Sequence, residues 1–222
     1  KFDFVPGNEG TPDDPEWVRE TGHPAYRADD ALWLFPTVYK YMSETGSKEF
    51  LDEVIPFSNG GEGTVYEHLK RAIEFSKNHL GSHEMPAGLH ADWNDCLRLG
   101  KKGESSFVAM QWYYAMTIQR IFAEEKQDTE YISYLDDLQK KLGDIIQDTC
   151  WEDDRFIRGY KEDGQKIGSK HDPEANMWLN PQSWAVISGV ASKEQQEKIL
   201  DTVNKELNTD FGVRLMAPSY RR

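Results

Sequence analysis

Apolar residues along this 222-residue chain recur mostly at three- and four-residue intervals, the spacing that gathers them on one face of a helix. Leu32, Phe35, Val38, Tyr39 and Met42 predict a helix from Ala31 to about Thr45. Gly46 ends it, because glycine accepts the left-handed backbone that closes a helix. Thr64, followed three residues later by Glu67, forms a capping box, and the helix it opens carries Val65, Leu69, Ala72, Ile73 and Phe75 on its apolar face. Ser105 starts a helix to about Lys126 that is apolar and aromatic on several sides (Phe107, Met110, Trp112, Tyr113, Tyr114, Ile118, Ile121, Phe122). After a break at Asp128-Thr129, the residues Tyr131, Tyr134, Leu135, Leu138, Leu142, Ile145 and Ile146 draw the cleanest helical stripe in the chain. These two helices read as an antiparallel hairpin. The period then changes. Arg155 to Tyr160 and Gln165 to Ile167 flank Glu162-Asp163-Gly164, the pattern of a small β-hairpin. A short helix follows between Gln182 and Gly189. Another runs from Lys193 to about Leu207, N-capped by Ser192, with Ile199, Leu200 and Val203 inward.

Between these elements the chain is rich in Gly and Pro. Residues 1–30 contain Pro6, Gly7, Gly10, Pro12, Pro15, Gly22 and Pro24 and predict irregular loop, as does Ser58 to Gly63. A third stretch, from about Gly81 to Glu104, has no period. A connection this long inside a domain is functional or disordered, and its Trp, Leu and Met content argues against disorder. The fold class is therefore mainly α, in helix pairs with functional loops, and suits part of an (α/α)6 barrel, or toroid, with a small β-hairpin insertion. Such a barrel needs about a dozen helices, and about six are predicted here, so residues 1–222 are expected to form a partial catalytic barrel domain. The opening Lys1-Phe2-Asp3-Phe4, without Met, fits a fragment of a longer chain.

Composition narrows the function more than the fold. With 39 acidic and 26 basic side chains the net charge is −13, a field that repels phosphate backbones and disfavours nucleic acid as a partner. No apolar run approaches the roughly 20 residues that span a bilayer, so no membrane partner is expected. Two cysteines, Cys96 and Cys150, make neither a disulfide framework nor a metal-ligand spacing and fit a reduced, cytoplasmic setting. The aromatic share is 12%, with seven Trp and ten Tyr; such rings fill cores, and they also stack on the apolar faces of sugars.

The candidate chemistry lies in Gly88-Leu89-His90-Ala91-Asp92-Trp93-Asn94-Asp95-Cys96. From His90 to Asp95 an imidazole, two carboxylates, an amide and an indole fall together. A general acid at a glycosidic oxygen must hold its proton near neutral pH, and an adjacent indole and a second carboxylate both raise a carboxyl pKa. Asn94 can hydrogen-bond a sugar hydroxyl and Trp93 can floor the sugar site. The same residues also fit a plain turn, with Asp92 as a cap or turn residue, Trp93 buried and Asn94 left-handed. A third reading is a metal site of His90, Asp92 and Asp95, although no second ligand cluster is apparent and no metal is expected.

Beyond local chemistry, His90 to Leu97 with Gly100 and Gly103-Glu104-Ser105 resembles the catalytic loop of the cellobiose and chitobiose phosphorylases, family 94 of the glycoside hydrolases. Asp29-Asp30-Ala31-Leu32-Trp33-Leu34, Pro56-Phe57 with Gly61-Glu62-Gly63-Thr64, Phe156 to Tyr160, Lys166 to Ser169 and Asn180 to Ala185 also resemble that family's elements. The resemblance implies phosphorolysis of a β-linked disaccharide with inversion, releasing an α-sugar 1-phosphate. It assigns Asp95 as the general acid and Trp93 to the sugar site, where Asn94, His90 and Asp92 are the further candidates for binding substrate. Inorganic phosphate acts as co-substrate and nucleophile without another cofactor, and the resemblance implies a homodimer. The family's Arg-Asp sugar element and its phosphate-binding segments have no counterpart within these residues, so this stretch alone is expected to be inactive. Two alternatives stand beside this reading. An inverting glycoside hydrolase needs a second carboxylate about 6.5–9.5 Å from the acid; a carbohydrate-binding helical domain has no turnover. Substrate identity, glucose against N-acetylglucosamine, is not legible here.

Other residues read more plainly. Asp29 and Asp30 suggest a solvated helix cap with Trp33 in the core. His23, His68, His79, His83 and His171 lack ligand spacing and read as surface or loop residues. Glu104 starts a helix near the motif, and Gln182, Ser183 and Trp184 are candidates for lining a sugar site.

Overall fold

The computed structural model describes residues 27–57, 60–89, 91–94, 96–97 and 99–221. Within them lie six α-helices: α1 (Leu34–Thr45), α2 (Val65–Asn78), α3 (Ser106–Glu125), α4 (Thr129–Cys150), α5 (Leu179–Ser188) and α6 (Lys193–Glu206). The rest is short strands in small separate sheets, so the chain is mainly helical.

Helix α3 is the centre. Ser106 to Trp112 are buried in an unbroken run, which no helix achieves unless neighbours cover it on all sides. Those neighbours are α1, α2, α4 and α5. Its all-round apolar sequence is thus the mark of a central helix. Around it Phe35, Leu69, Ile73, Phe107, Trp112, Leu135, Ile146 and Phe156 share one core. Helices α3 and α4 form the expected hairpin, joined across Lys126–Asp128, with the Asp128 side chain accepting the Tyr131 amide at the start of α4.

The local end signals act as chemistry requires. Thr64 and Glu67 form a reciprocal capping box at the start of α2, and Ser192 with Gln195 does so at α6, each satisfying amides that a helix leaves free. Gly46 closes α1 with φ 70°. The first helix is split: residues Asp30–Trp33 form a tighter 3-10 turn before α1 begins.

Several expectations change. Glu62 and Gly63, expected in a loop, belong with the N-cap Thr64 to strand β2 (Glu62–Thr64), antiparallel to β1 (Val54–Pro56). Glu104 and Ser105 form β3 ahead of α3, rather than its first turn. The predicted strand 155–160 breaks in two: β5 (Arg155–Phe156) pairs back with β4 (Trp151–Glu152), while β6 (Gly159–Tyr160) pairs with both β3 and β7 (Lys166–Ile167). The expected hairpin is therefore β6–β7, with Gly164 at φ 85° in its turn. Strands β8 (Met177–Trp178), β9 (Asn208–Thr209), β10 (Gly212–Val213) and β11 (Met216–Ala217) complete the set.

On α6, Ile199 is buried as expected, but Leu200 is 60% exposed. It lies with Val186, Ile187 and Val203 along an apolar groove of about 710 Å³ between α5 and α6. The α6 stripe faces two ways, and among the described residues only one side is covered.

Candidate functional site

Between α2 and β3 the described residues form no helix or strand, only isolated bridges, and the stretch is held by its neighbours. At its start the Ala87 amide donates to the His79 carbonyl (2.8 Å) and Gly81 to Met85 (2.9 Å). Further on, Gly88 donates to Gly103 (2.5 Å), Ala28 donates to Ala91 (2.8 Å), and Glu162 donates to Leu99 (2.8 Å). Arg27 bridges to both Leu89 and Ala91. Leu89 has φ 52°, a strained backbone for a branched residue, retained where surrounding structure fixes it. Gly103 admits a close approach: a Cβ there would lie 2.3 Å from the Leu99 carbonyl oxygen.

Asp92 is the internal anchor. It is 3% exposed, and both carboxylate oxygens are bonded. Oδ1 accepts the Asn94 amide at 2.9 Å and Arg158 Nη2 at 2.8 Å; Oδ2 accepts Arg158 Nη2 at 2.6 Å and Ser105 Oγ at 2.8 Å. Arg158 is wholly buried and also donates through Nη1 to Ser105 Oγ at 2.8 Å. Its guanidinium lies 5.6 Å from the Phe107 ring centre and 5.7 Å from that of Trp178. Such a buried pair is expensive to break, since removing one partner leaves an uncompensated charge at a cost of about 3–5 kcal/mol. Ser105 is shared, because its Oγ also accepts the Val108 amide and so caps α3. The loop is thereby tied to the start of the central helix.

Beyond Asp92 the loop turns twice. The Asn94 side chain accepts the Cys96 amide at 3.2 Å and the Asn94 carbonyl accepts the Leu97 amide at 2.9 Å. Each is a short polar side chain or carbonyl satisfying an amide two or three residues on. The plain-turn reading holds for Asp92, whose side chain accepts the Asn94 amide, but not for Trp93, which is 53% exposed, nor for Asn94, whose backbone is not left-handed. Asp92, Trp93 and Asn94 thus occupy one turn, with Asp92 pointing inward and Trp93 outward. His90 and Asp95 lie outside the described residues.

Asp29 and Trp33 reverse their expected roles. Asp29 is 1% exposed while Trp33 is 40% exposed, the indole donating to Asp29 Oδ2 at 2.8 Å. Asp29 Oδ1 has no hydrogen-bond partner. Burial pushes the Asp29 carboxyl up to about 7; the Trp33 bond opposes this, and the charges of Asp30 and Asp92 add to it. The cause is the Ala28–Ala91 bond, which draws residues 27–29 under the loop.

Glu104 is also buried, at 1%. Its carboxylate accepts the backbone amides of His83 (2.8 Å) and Met85 (3.1 Å) and contacts His83 Nδ1 at 2.5 Å. The His83 ring stacks on Tyr160 at 3.9 Å, so His83 is no free loop residue. Gln182 binds the backbone of Phe156 and Trp178, and Trp184 packs edge-on against Trp33, Phe107 and Tyr114; both are occupied in packing. No cluster of three or more metal-ligating side chains occurs among the described residues. Sequence reading missed Arg158 as a site residue. Its signal was a lone charge in the apolar run Phe156-Ile157-Arg158-Gly159-Tyr160, which must find a buried carboxylate.

The chain is 37% identical over 195 residues to an N,N'-diacetylchitobiose phosphorylase of Vibrio proteolyticus, covering 87% of this chain and 24% of that protein. It is 33% identical over 201 residues to a solabiose phosphorylase of Paenibacillus borealis, covering 89% and 26%. It thus spans about a quarter of the length of these relatives. Among solved structures, a GH78 family rhamnosidase of Bacillus sp. GL1 matches in fold, with a TM-score of 0.66 at 14% identity over 86% of this chain and 19% of that one. Residues 9–222 match the catalytic domain of the glycosyl hydrolase 94 superfamily, and the chain belongs to that family.

Proposed function

We propose that the protein containing this chain phosphorolyses a β-linked disaccharide with inversion, releasing an α-sugar 1-phosphate, and that Asp95 is its general acid. The observation that carries the reading is the built turn at Asp92-Trp93-Asn94 in a chain of this family, whose relatives are named as disaccharide phosphorylases. Asp95 follows Asn94 directly in sequence, two positions after Trp93, whose indole is half open to solvent.

In the proposed reaction Asp95 gives its proton to the glycosidic oxygen as that bond breaks. Inorganic phosphate attacks the anomeric carbon from the opposite face, so no second carboxylate is needed to activate water. Trp93 offers a ring for the sugar to stack on, and Asn94 and His90 are the candidate polar contacts. Asp92 has both oxygens engaged within the protein, which suits a role in holding the turn. The helix pairs α3–α4 and α5–α6 support an (α/α)6 toroid for the whole domain, with the loop at one end. The free thiols of Cys96 and Cys150 suit a reducing, cytoplasmic setting. No helix among the described residues is long and apolar enough to cross a membrane.

The test uses the full-length protein with cellobiose and N,N'-diacetylchitobiose, with and without phosphate. Cleavage is expected only with phosphate, yielding an α-sugar 1-phosphate by 31P NMR, and Asp95→Asn should lower turnover about 10²–10⁴-fold. Cleavage in phosphate-free buffer, or full activity in Asp95→Asn, refutes it.

A further inference from the structure

We propose that Arg158, acting through Asp92 and Ser105, is a positioning residue that holds the Asp92-Trp93-Asn94 turn leading into the acid at position 95. This rests on the reading of Asp95 given above. Arg158 is wholly buried, so it does not reach a sugar. It acts along a short chain of bonds. Its Nη2 binds both oxygens of Asp92, at 2.8 and 2.6 Å, and Asp92 Oδ1 holds the Asn94 amide at 2.9 Å. The Asn94 carbonyl, which leads directly into residue 95, accepts the Leu97 amide at 2.9 Å. The backbone on each side of residue 95 is therefore tied, and the tie ends on a guanidinium.

Arg158 is itself held at both ends, by its backbone and by the two Nη groups, while its buried Nε has no hydrogen-bond partner. The Arg158 amide donates to Ile167 at 2.8 Å and its carbonyl accepts the Ser106 amide at 3.2 Å, which locks the residue between β7 and the start of α3. Ser105 Oγ bridges guanidinium and carboxylate while capping α3. Rigid second partners of this kind set the geometry of a catalytic group. A 1 Å misplacement of such a group can cost about 10²-fold in rate. Lysine cannot replace this arginine, because a single ammonium lacks the planar fork that reaches both Asp92 and Ser105.

The test compares two donors in full-length Arg158→Lys, Ser105→Ala and Asp95→Asn proteins, after circular dichroism and a thermal melt have established folding. One donor is the disaccharide, whose sugar leaving group needs a proton. The other is the corresponding β-glycosyl fluoride, which phosphate converts to the α-sugar 1-phosphate with release of fluoride and little need of an acid. Arg158→Lys is expected to lower kcat on the disaccharide about 10²-fold, with KM within about threefold and the fluoride reaction reduced less than about tenfold. Ser105→Ala, which keeps the ion pair, should show the same selectivity to a smaller extent, and it decides the matter if Arg158→Lys does not fold. Equal losses on both donors, or no loss on either, overturn the proposal. Asp95→Asn separates the two ideas. If it shows the selective loss and the other variants do not, only the positioning role fails; if it shows none, the acid assignment fails and this inference with it.

Discussion

Replacing Asp29 by Asn removes a carboxylate whose ionisation the fold opposes. Asp29 is 1% exposed, one of its oxygens has no partner, and the other accepts the Trp33 indole. Burial first, and then the nearby charges of Asp30 and Asp92, outweigh the Trp33 bond and move its titration from the ordinary 3.8 to about 7. Between those values the folded protein keeps a proton that the unfolded chain has lost, so folding stability falls as pH rises through the window. Below about pH 3.8 both states are protonated and the penalty vanishes; above about pH 7 it is complete. Each tenfold change in a protonation equilibrium is worth ~1.4 kcal/mol, so the penalty reaches about 4 kcal/mol at most. Asparagine has nearly the same shape, keeps an oxygen for Trp33 and never ionises. The stability gap between Asp29→Asn and wild type should therefore widen steadily from pH 5 to pH 7 in favour of the variant, then stay constant. One kcal/mol corresponds to about 2–4 °C in a domain of this size, so thermal melts across pH resolve the trend. A gap that does not change with pH, or a variant less stable than wild type at pH 8, would refute the reasoning.

Two stability predictions concern the frame around the loop. A Cβ at Gly159 would lie 2.2 Å from the Glu104 carbonyl oxygen, so Gly159→Ala should push β6 off β3 and destabilise by about 1–3 kcal/mol; a melt unchanged from wild type would contradict this. Ile73 on α2 is fully buried in the main core, so Ile73→Ala should cost about 2–5 kcal/mol in chemical denaturation, and a loss below 1 kcal/mol would mean the site collapses around the vacancy.

Local sequence determined the helices and their ends. The capping boxes at Thr64 and Ser192 and the glycine stop at Gly46 depend on contacts within a few residues, so spacing alone reveals them; the short Lys126–Asp128 link likewise makes α3 and α4 neighbours. The family was legible too, because the string from His90 to Leu97 with Gly100 and Gly103 to Ser105 is specific and further motifs along the chain agree with it. Tertiary structure decided the rest. Whether Leu200 faced the core or the groove depended on which side of α6 had a neighbour. The 155–160 strand broke because Arg155–Phe156 and Gly159–Tyr160 found different partners. Asp29 was buried and Trp33 left half open because residues 27–29 run beside Ala91. Asp92 became an anchor only because Arg158, 66 positions away, meets it in a site from which water is excluded. A carboxylate and a guanidinium are common in any sequence; burial makes their pairing obligatory, and burial belongs to the folded chain as a whole.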